Sequence, residues 1–273
     1  MYITVSSVLK IAILRSKISK AAPKGSLFRK NMASNLYKRI MHLLTVPKCV
    51  RCGEPIEIDD RCFCAECRKE YEEFKQRECS RCAKKIYKCS CSNGLLRAGA
   101  IKNVYKVYRY RSWDRDIPSN KLIYALKQQN RRDVFEFTSD ELAEAIKASL
   151  KLTPEKYVIT NIPRRGSAIV DFGYDHAAEL AKRVAKNLGV DYVRSMRSKA
   201  KKAQKESVGV ERIKNAVFQM RPNASEKIKG KTVIIIDDII TTGSSMIAAG
   251  KILRSNGARR TISAAIAISY PDS

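Results

Sequence analysis

The sequence is poor in several residue types that would open other lines of chemistry. Among 273 residues there are only two histidines and one tryptophan. His42 falls in a basic tail, where solvation is expected, and His176 lies near a helix start, where ordinary helix surface is expected and contact with a bound anion is the alternative. No apolar run approaches the ~20 residues that a membrane-spanning helix needs. Residues 1–48 contain no Asp or Glu against ten Lys or Arg, and they supply over a third of the formal net charge of +27. An acid-free, serine-containing start can suggest a transit or signal peptide. Its apolar run at Ile11–Leu14 is however flanked by Lys10 and Arg15, and the tail reads equally as an extension ahead of a later start at Met32 or Met41. No cysteine follows Cys91. A thiol-rich segment of this kind is kept reduced in a cytosol, so a cytoplasmic protein is expected.

What is present divides into three parts: a basic tail over 1–46, a cysteine-rich module over 47–96, and an α/β domain over 97–273. Excess positive charge on this scale favours polyanionic partners, nucleic acid or phosphorylated ligands, without choosing between them.

All nine cysteines lie between positions 49 and 91. They run Cys49-x2-Cys52, Cys64-x2-Cys67, Cys79-x2-Cys82 and Cys89-x-Cys91, with Cys62 left over. A CxxC turn presents two thiolates to one metal, and two such turns complete a tetrahedral site. The expected sites are Cys49, Cys52, Cys64 and Cys67, then Cys79, Cys82, Cys89 and Cys91, with an interleaved pairing as the alternative. Four thiolates leave no open position, so Zn2+ here would be structural. Cys62 reads as a spare thiol, or else as a substitute for Cys64.

Beyond Arg97, β-branched runs alternate with helical patterns, which predicts parallel strands joined by helical crossovers. Val104–Tyr110 is expected to form an edge strand, with further strands at Tyr157–Thr160, Val190–Val193, Thr232–Ile236 and Thr261–Ile268. Helices are expected at Asp140–Leu150, opened by Ser139 as a cap, and at Asp175–Leu188 and Ser244–Ser255. Ser195–Asn215 is expected to be a polar loop. Trp113 is expected to pack on the cysteine module, with base stacking as the alternative.

The most informative stretch is VIIIDDIITTGSS at 233–245. A buried strand carries Asp237 and Asp238 to the carboxyl edge of a parallel sheet, where α/β folds place ligands. The turn that follows offers the amides and hydroxyls of Thr241, Thr242, Ser244 and Ser245 and the positive end of a helix, all suited to a phosphoryl group. Gly243 allows close backbone approach. Carboxylates beside that cradle are acceptors for paired ribose hydroxyls.

Four hydrophobics, Asp-Asp, two variable residues and Thr-Thr-Gly resemble the signature with which type I phosphoribosyltransferases bind 5-phosphoribosyl 1-pyrophosphate (PRPP). The resemblance implies that Asp237 and Asp238 hold the ribose 2' and 3' hydroxyls and that residues 241–245 hold the 5'-phosphate. Together with a double zinc ribbon, this domain is similar to the ComF family over roughly residues 47–270. Ile162-Pro163-Arg164-Arg165 then stands where the family places its pyrophosphate loop, and paired guanidinium groups suit that anion. Phe172-Gly173-Tyr174-Asp175-His176 stands where the family typically has Arg-Gly-Phe-Asn-Gln, a departure that puts a catalytic role of this corner in doubt. Gln204, Glu211, Arg212 and Asn215 reproduce the family's basic loop, read as a lid or else as a solvated lysine run.

Two functions follow from the resemblance. One is a transferase that moves a phosphoribosyl group from PRPP, with Mg2+, to an acceptor, with Asp237, Asp238, Arg164 and Arg165 as its catalytic residues. The other is a non-catalytic single-stranded DNA-binding or adaptor protein, with the PRPP site as sensor or relic. The family's link to DNA uptake in natural transformation implies DNA-processing and helicase partners.

Overall fold

The computed structural model describes residues 47–57, 60–111, 113–164, 174–199 and 218–269. Arg165, Phe172, Gly173, Gln204, Glu211, Arg212, Asn215 and the tail 1–46 lie outside the described residues. Lys48–Ser273 forms one compact unit.

A five-stranded sheet organises that unit, in the order β1-β7-β6-β2-β3. Its strands are β1 (Val104–Arg109), β2 (Tyr157–Asn161), β3 (Asp191–Tyr192), β6 (Thr232–Ile240) and β7 (Arg260–Ile268), and every pairing is parallel. Two short strands, β4 (Met196–Ser198) and β5 (Phe218–Met220), pair antiparallel beside it. The segment expected to be loop from Ser195 onward therefore begins with a strand, because Ser195 is buried and its carbonyl accepts from the Arg221 amide.

β6 is central and covered on both faces, which explains its unbroken apolar run. Successive side chains point to opposite sides. Ile234 and Ile236 enter one core with Leu142, Ile146, Leu180 and Val184. Val233 and Ile235 enter another with Leu96, Met246, Ala249 and Leu253. The first core is covered by α3 (Pro118–Gln128), α4 (Arg132–Lys147) and α5 (His176–Leu188), the second by α2 (Gly94–Ala98) and α7 (Ser244–Ser255). A short helix α6 (Ala224–Ile228) precedes β6.

α5 starts and stops where its sequence says. Asp175 caps it by accepting from the Ala178 amide at 3.1 Å, and Gly189 ends it at φ 66°. α4 starts earlier than expected. Val134, Phe135, Phe137 and Thr138 extend its buried stripe upstream. Ser139 is consequently inside the helix rather than its cap, and its hydroxyl donates to the Glu136 carbonyl at 3.0 Å.

The cysteine-rich segment shares the first core. Phe63 and, on α1 (Ala65–Lys75), Tyr71 and Phe74 are buried there. Tyr71 meets Phe63, Phe137 and Tyr108 with ring centroids 5.2, 5.4 and 6.0 Å apart. Trp113 does not pack as expected; it is 79% exposed.

Because β6 serves both cores, Ile234→Ala and Ile235→Ala should each cost about 2–5 kcal/mol in urea unfolding. A loss from only one of them would mean that one face of the sheet does not support the fold.

Candidate functional site

The carboxyl end of β6 brings two acids to the sheet edge in different settings. Asp237 is partly exposed, and one of its oxygens accepts from the Asp238 amide at 2.9 Å. Asp238 is 5% exposed and is held on both oxygens. Oδ1 accepts from the Ile239 amide at 2.6 Å. Oδ2 lies 2.6 Å from His176 Nε2 and 3.5 Å from Lys127 Nζ.

His176 is therefore not ordinary helix surface. It is fully buried at the start of α5, and its Nδ1 has no hydrogen-bond partner among the described residues. Sequence reasoning could not have found this pair. Nothing local separates a surface histidine from one that supports a carboxylate across 62 residues, and Lys127 reads only as a polar residue closing α3.

The electrostatics divide the two acids. Burial raises the Asp237 carboxyl, and the neighbouring Asp238 charge adds to this, to about 8. Burial pushes Asp238 the same way, but the His176 hydrogen bond and the Lys127, His176 and Arg164 charges outweigh it and hold the carboxyl at about 2. Asp238 is the fixed anion of the pair, and Asp237 is the one whose charge calls for a cation or hydroxyl donors. The Arg164 charge falls on both.

Directly after β6 comes the turn Thr241–Ser245. Gly243 takes φ 90° as it enters α7, and the Thr242 hydroxyl accepts from the Ser244 amide at 3.4 Å. The Thr242 and Ser244 hydroxyls lie 2.8 Å apart. Gly243 is needed twice over, because a β-carbon there would fall 2.5 Å from Leu96 Cδ2 in addition to the positive φ. The turn thus pairs small hydroxyls with the positive end of a twelve-residue helix.

The thiols form two groups of four, Cys49, Cys52, Cys64, Cys67 and Cys79, Cys82, Cys89, Cys91, with the sulfurs of each group within 4.8 Å of one another. This is the sequential pairing. Cys62 belongs to neither group; it is fully buried, and burial pushes its thiol up. The knuckles repeat: the Gly53 amide donates to the Cys49 carbonyl at 3.1 Å and the Ala83 amide to the Cys79 carbonyl at 2.8 Å, both residues at positive φ. Each group could hold zinc. Burial pushes the Cys67 and Cys91 thiols up to about 12, and nearby thiols add to it. Four sulfurs this close ionise together only around a cation.

Residues 168–272 match the family model for the phosphoribosyl transferase domain. The matched range takes in α5, β6, the turn and α7; β1, β2 and the cysteine groups precede it. Among curated proteins, the ribose-phosphate pyrophosphokinase of Sulfurisphaera tokodaii is 34% identical over 128 residues, 47% of this chain and 36% of that protein. The enzyme of the same name from Pyrococcus abyssi is 40% identical over 83 residues, 30% of this chain and 24% of that one. The chain thus spans about a third or less of the length of these relatives. Among solved structures, adenine phosphoribosyltransferase from Saccharomyces cerevisiae is similar at TM-score 0.30 and 24% identity, covering 50% of this chain and 70% of that one. Phosphoribosylpyrophosphate synthetase from Mycobacterium smegmatis is similar at TM-score 0.28 and 20% identity, covering 49% and 33%.

The folded value of Asp237 lies above its ordinary 3.8. The stability it contributes is therefore present at low pH and is lost as pH rises through about 8. Urea midpoints of the ligand-free protein should fall across that window, and Asp237→Asn should flatten the fall. Equal pH sensitivity of both proteins would refute the assignment.

Proposed function

We propose that the chain binds PRPP with Mg2+ and transfers its phosphoribosyl group to an acceptor, as a ComF-type phosphoribosyltransferase linked to DNA uptake. One observation carries this reading: the Asp237-Asp238 pair lies in the last residues of β6, with only Ile239 and Ile240 between it and the hydroxyl-lined turn that opens α7. A phosphate held by Thr241, Thr242, Gly243, Ser244 and Ser245 leaves the attached ribose facing the two carboxylates. Asp237 accepts hydrogen bonds from its hydroxyls, while Asp238, anchored by His176 and Lys127, fixes the direction in which they point.

Arg164, with Arg165 next to it in sequence, is assigned to the pyrophosphate. Their charge stabilises the leaving anion as the C1–O bond breaks and positive charge develops on the ribose ring. Bound Mg2+ supplies further neutralisation of that anion. No protein nucleophile is needed, since positioning an incoming nitrogenous acceptor completes the displacement. Zn2+ in both cysteine groups is structural, and the cysteine module over 47–96 with the exposed Trp113 borders the acceptor side of the domain over 97–273.

A second reading, single-stranded DNA binding with PRPP as a regulatory ligand, has its own observation. Lys84, Lys85, Lys88, Lys147 and Lys151 line one groove between the second cysteine group and the end of α4. Such a groove contributes salt-dependent backbone contacts.

Titration calorimetry separates these readings. PRPP should bind only with Mg2+, and the double change Asp237→Ala, Asp238→Ala should abolish binding in protein that keeps two zinc ions per chain by mass spectrometry. No binding by zinc-replete wild type would discard the transferase reading. DNA affinity that falls steeply with salt, and survives the double change, would favour the second.

A further inference from the structure

Lys106 of β1 is 1% exposed. Its ammonium lies 3.2 Å from Cys89 Sγ, 2.9 Å from the Cys91 carbonyl oxygen and 3.3 Å from the Val104 carbonyl oxygen. Those are its hydrogen-bond partners among the described residues, and none is a carboxylate. A buried ammonium is costly unless a negative charge faces it. The nearby group able to carry one is the cluster of Cys79, Cys82, Cys89 and Cys91, which is anionic when four thiolates surround a divalent cation. Lys106 thus sits where a counter-charge to a metal-loaded cluster belongs, donating to a ligand sulfur from outside the site.

The chain leaves that cluster and reaches the phosphate turn within a few residues. The Ser92 carbonyl accepts from Arg81 and Arg97, and its hydroxyl donates to the Lys102 carbonyl at 3.1 Å. Asn93 then uses both ends of its amide. Oδ1 caps α2 by accepting from the Leu96 amide at 2.8 Å, while Nδ2 donates to the Thr242 carbonyl at 3.4 Å. α2 itself lies against the start of α7. Leu96 occupies the space beside Gly243, and Gly99 passes so close to Ile247 that a β-carbon would meet it at 2.6 Å. The turn therefore rests on a short helix whose start is joined to the cluster through Ser92 and Asn93.

We propose that the second cysteine cluster is the support of the phosphate turn, so that metal held by Cys79, Cys82, Cys89 and Cys91 and a phosphate held by residues 241–245 strengthen each other's binding. Asn93 is the positioning residue between them, and Lys106 is the counter-charge that holds the cluster to β1. Among the described residues the first cluster shows no such path; its neighbours Phe63 and Tyr71 belong to the core on the other face of the sheet. The inference rests on residues 241–245 binding the 5'-phosphate of PRPP.

The test is zinc release from the full chain to a chromophoric chelator, with and without PRPP and Mg2+, with calorimetry on the same preparation. Release should show two phases. PRPP should slow only the phase that Lys106→Met accelerates, by at least about five-fold, the lower end of ordinary coupling between sites. If Lys106→Met does not fold, Cys82→Ser identifies the same phase by abolishing it. Asn93→Ser keeps an oxygen for the Leu96 amide but loses the reach to Thr242. It should hold two zinc ions and bind PRPP, yet lose most of the protection.

PRPP binding that slows both phases equally, or neither, would overturn the linkage while leaving the functional reading intact. Full protection in Asn93→Ser would remove that residue's role. Acceleration of neither phase by a folded Lys106→Met would remove the counter-charge. Absence of PRPP binding in calorimetry would overturn both the linkage and the functional reading beneath it.

Discussion

A strand covered on both faces is apolar along most of its length and takes ionisable side chains near its carboxyl end, and this constraint organises the molecule. β6 spends its first residues on apolar packing into two cores and delivers Asp237 and Asp238 at its carboxyl end. The next residues have no room to wander. Gly243 must turn at positive φ under Leu96, and α7 must begin at once if its apolar face is to cover the sheet. Ligand geometry at this corner is thus a consequence of packing on either side of one strand.

Buried charge is the second organising cost, met in two places by similar means. Asp238 is kept ionised by a histidine and a lysine brought from α5 and α3. Lys106 is kept next to thiol sulfur and carbonyl oxygen on β1, in register with Ala265 of β7 as Asp237 is on the other side of that strand. Each arrangement commits a residue of one segment to a partner distant in sequence. An ion removed from either would leave an uncompensated charge in a dry interior, which costs far more than a surface pair is worth.

Much of this was legible in the sequence. The alternation of strands and helices, the edge position of β1, the bounds of α7 and the grouping of eight thiols into two fours all follow from period and spacing, because each depends on neighbours in the chain. α4 was misread at its start because Ser139 looks like a cap, whereas the buried stripe begins at Val134. Trp113 was expected to pack, and its exposure follows from no local signal.

Local order therefore came from the sequence itself: which segments form strands, where α5 is capped and stopped, which sulfurs lie close enough to share a metal, and that acids followed by small hydroxyls end a buried strand. Only the tertiary structure decided the roles of His176, Lys127, Lys106, Asn93 and Leu96. Their partners lie far along the chain or across a helix–turn contact, so propensity and periodicity carry no trace of them. The two aspartates, adjacent and identical in sequence, become different groups because His176 and the nearby cations outweigh burial at Asp238, whereas burial and the Asp238 charge prevail at Asp237.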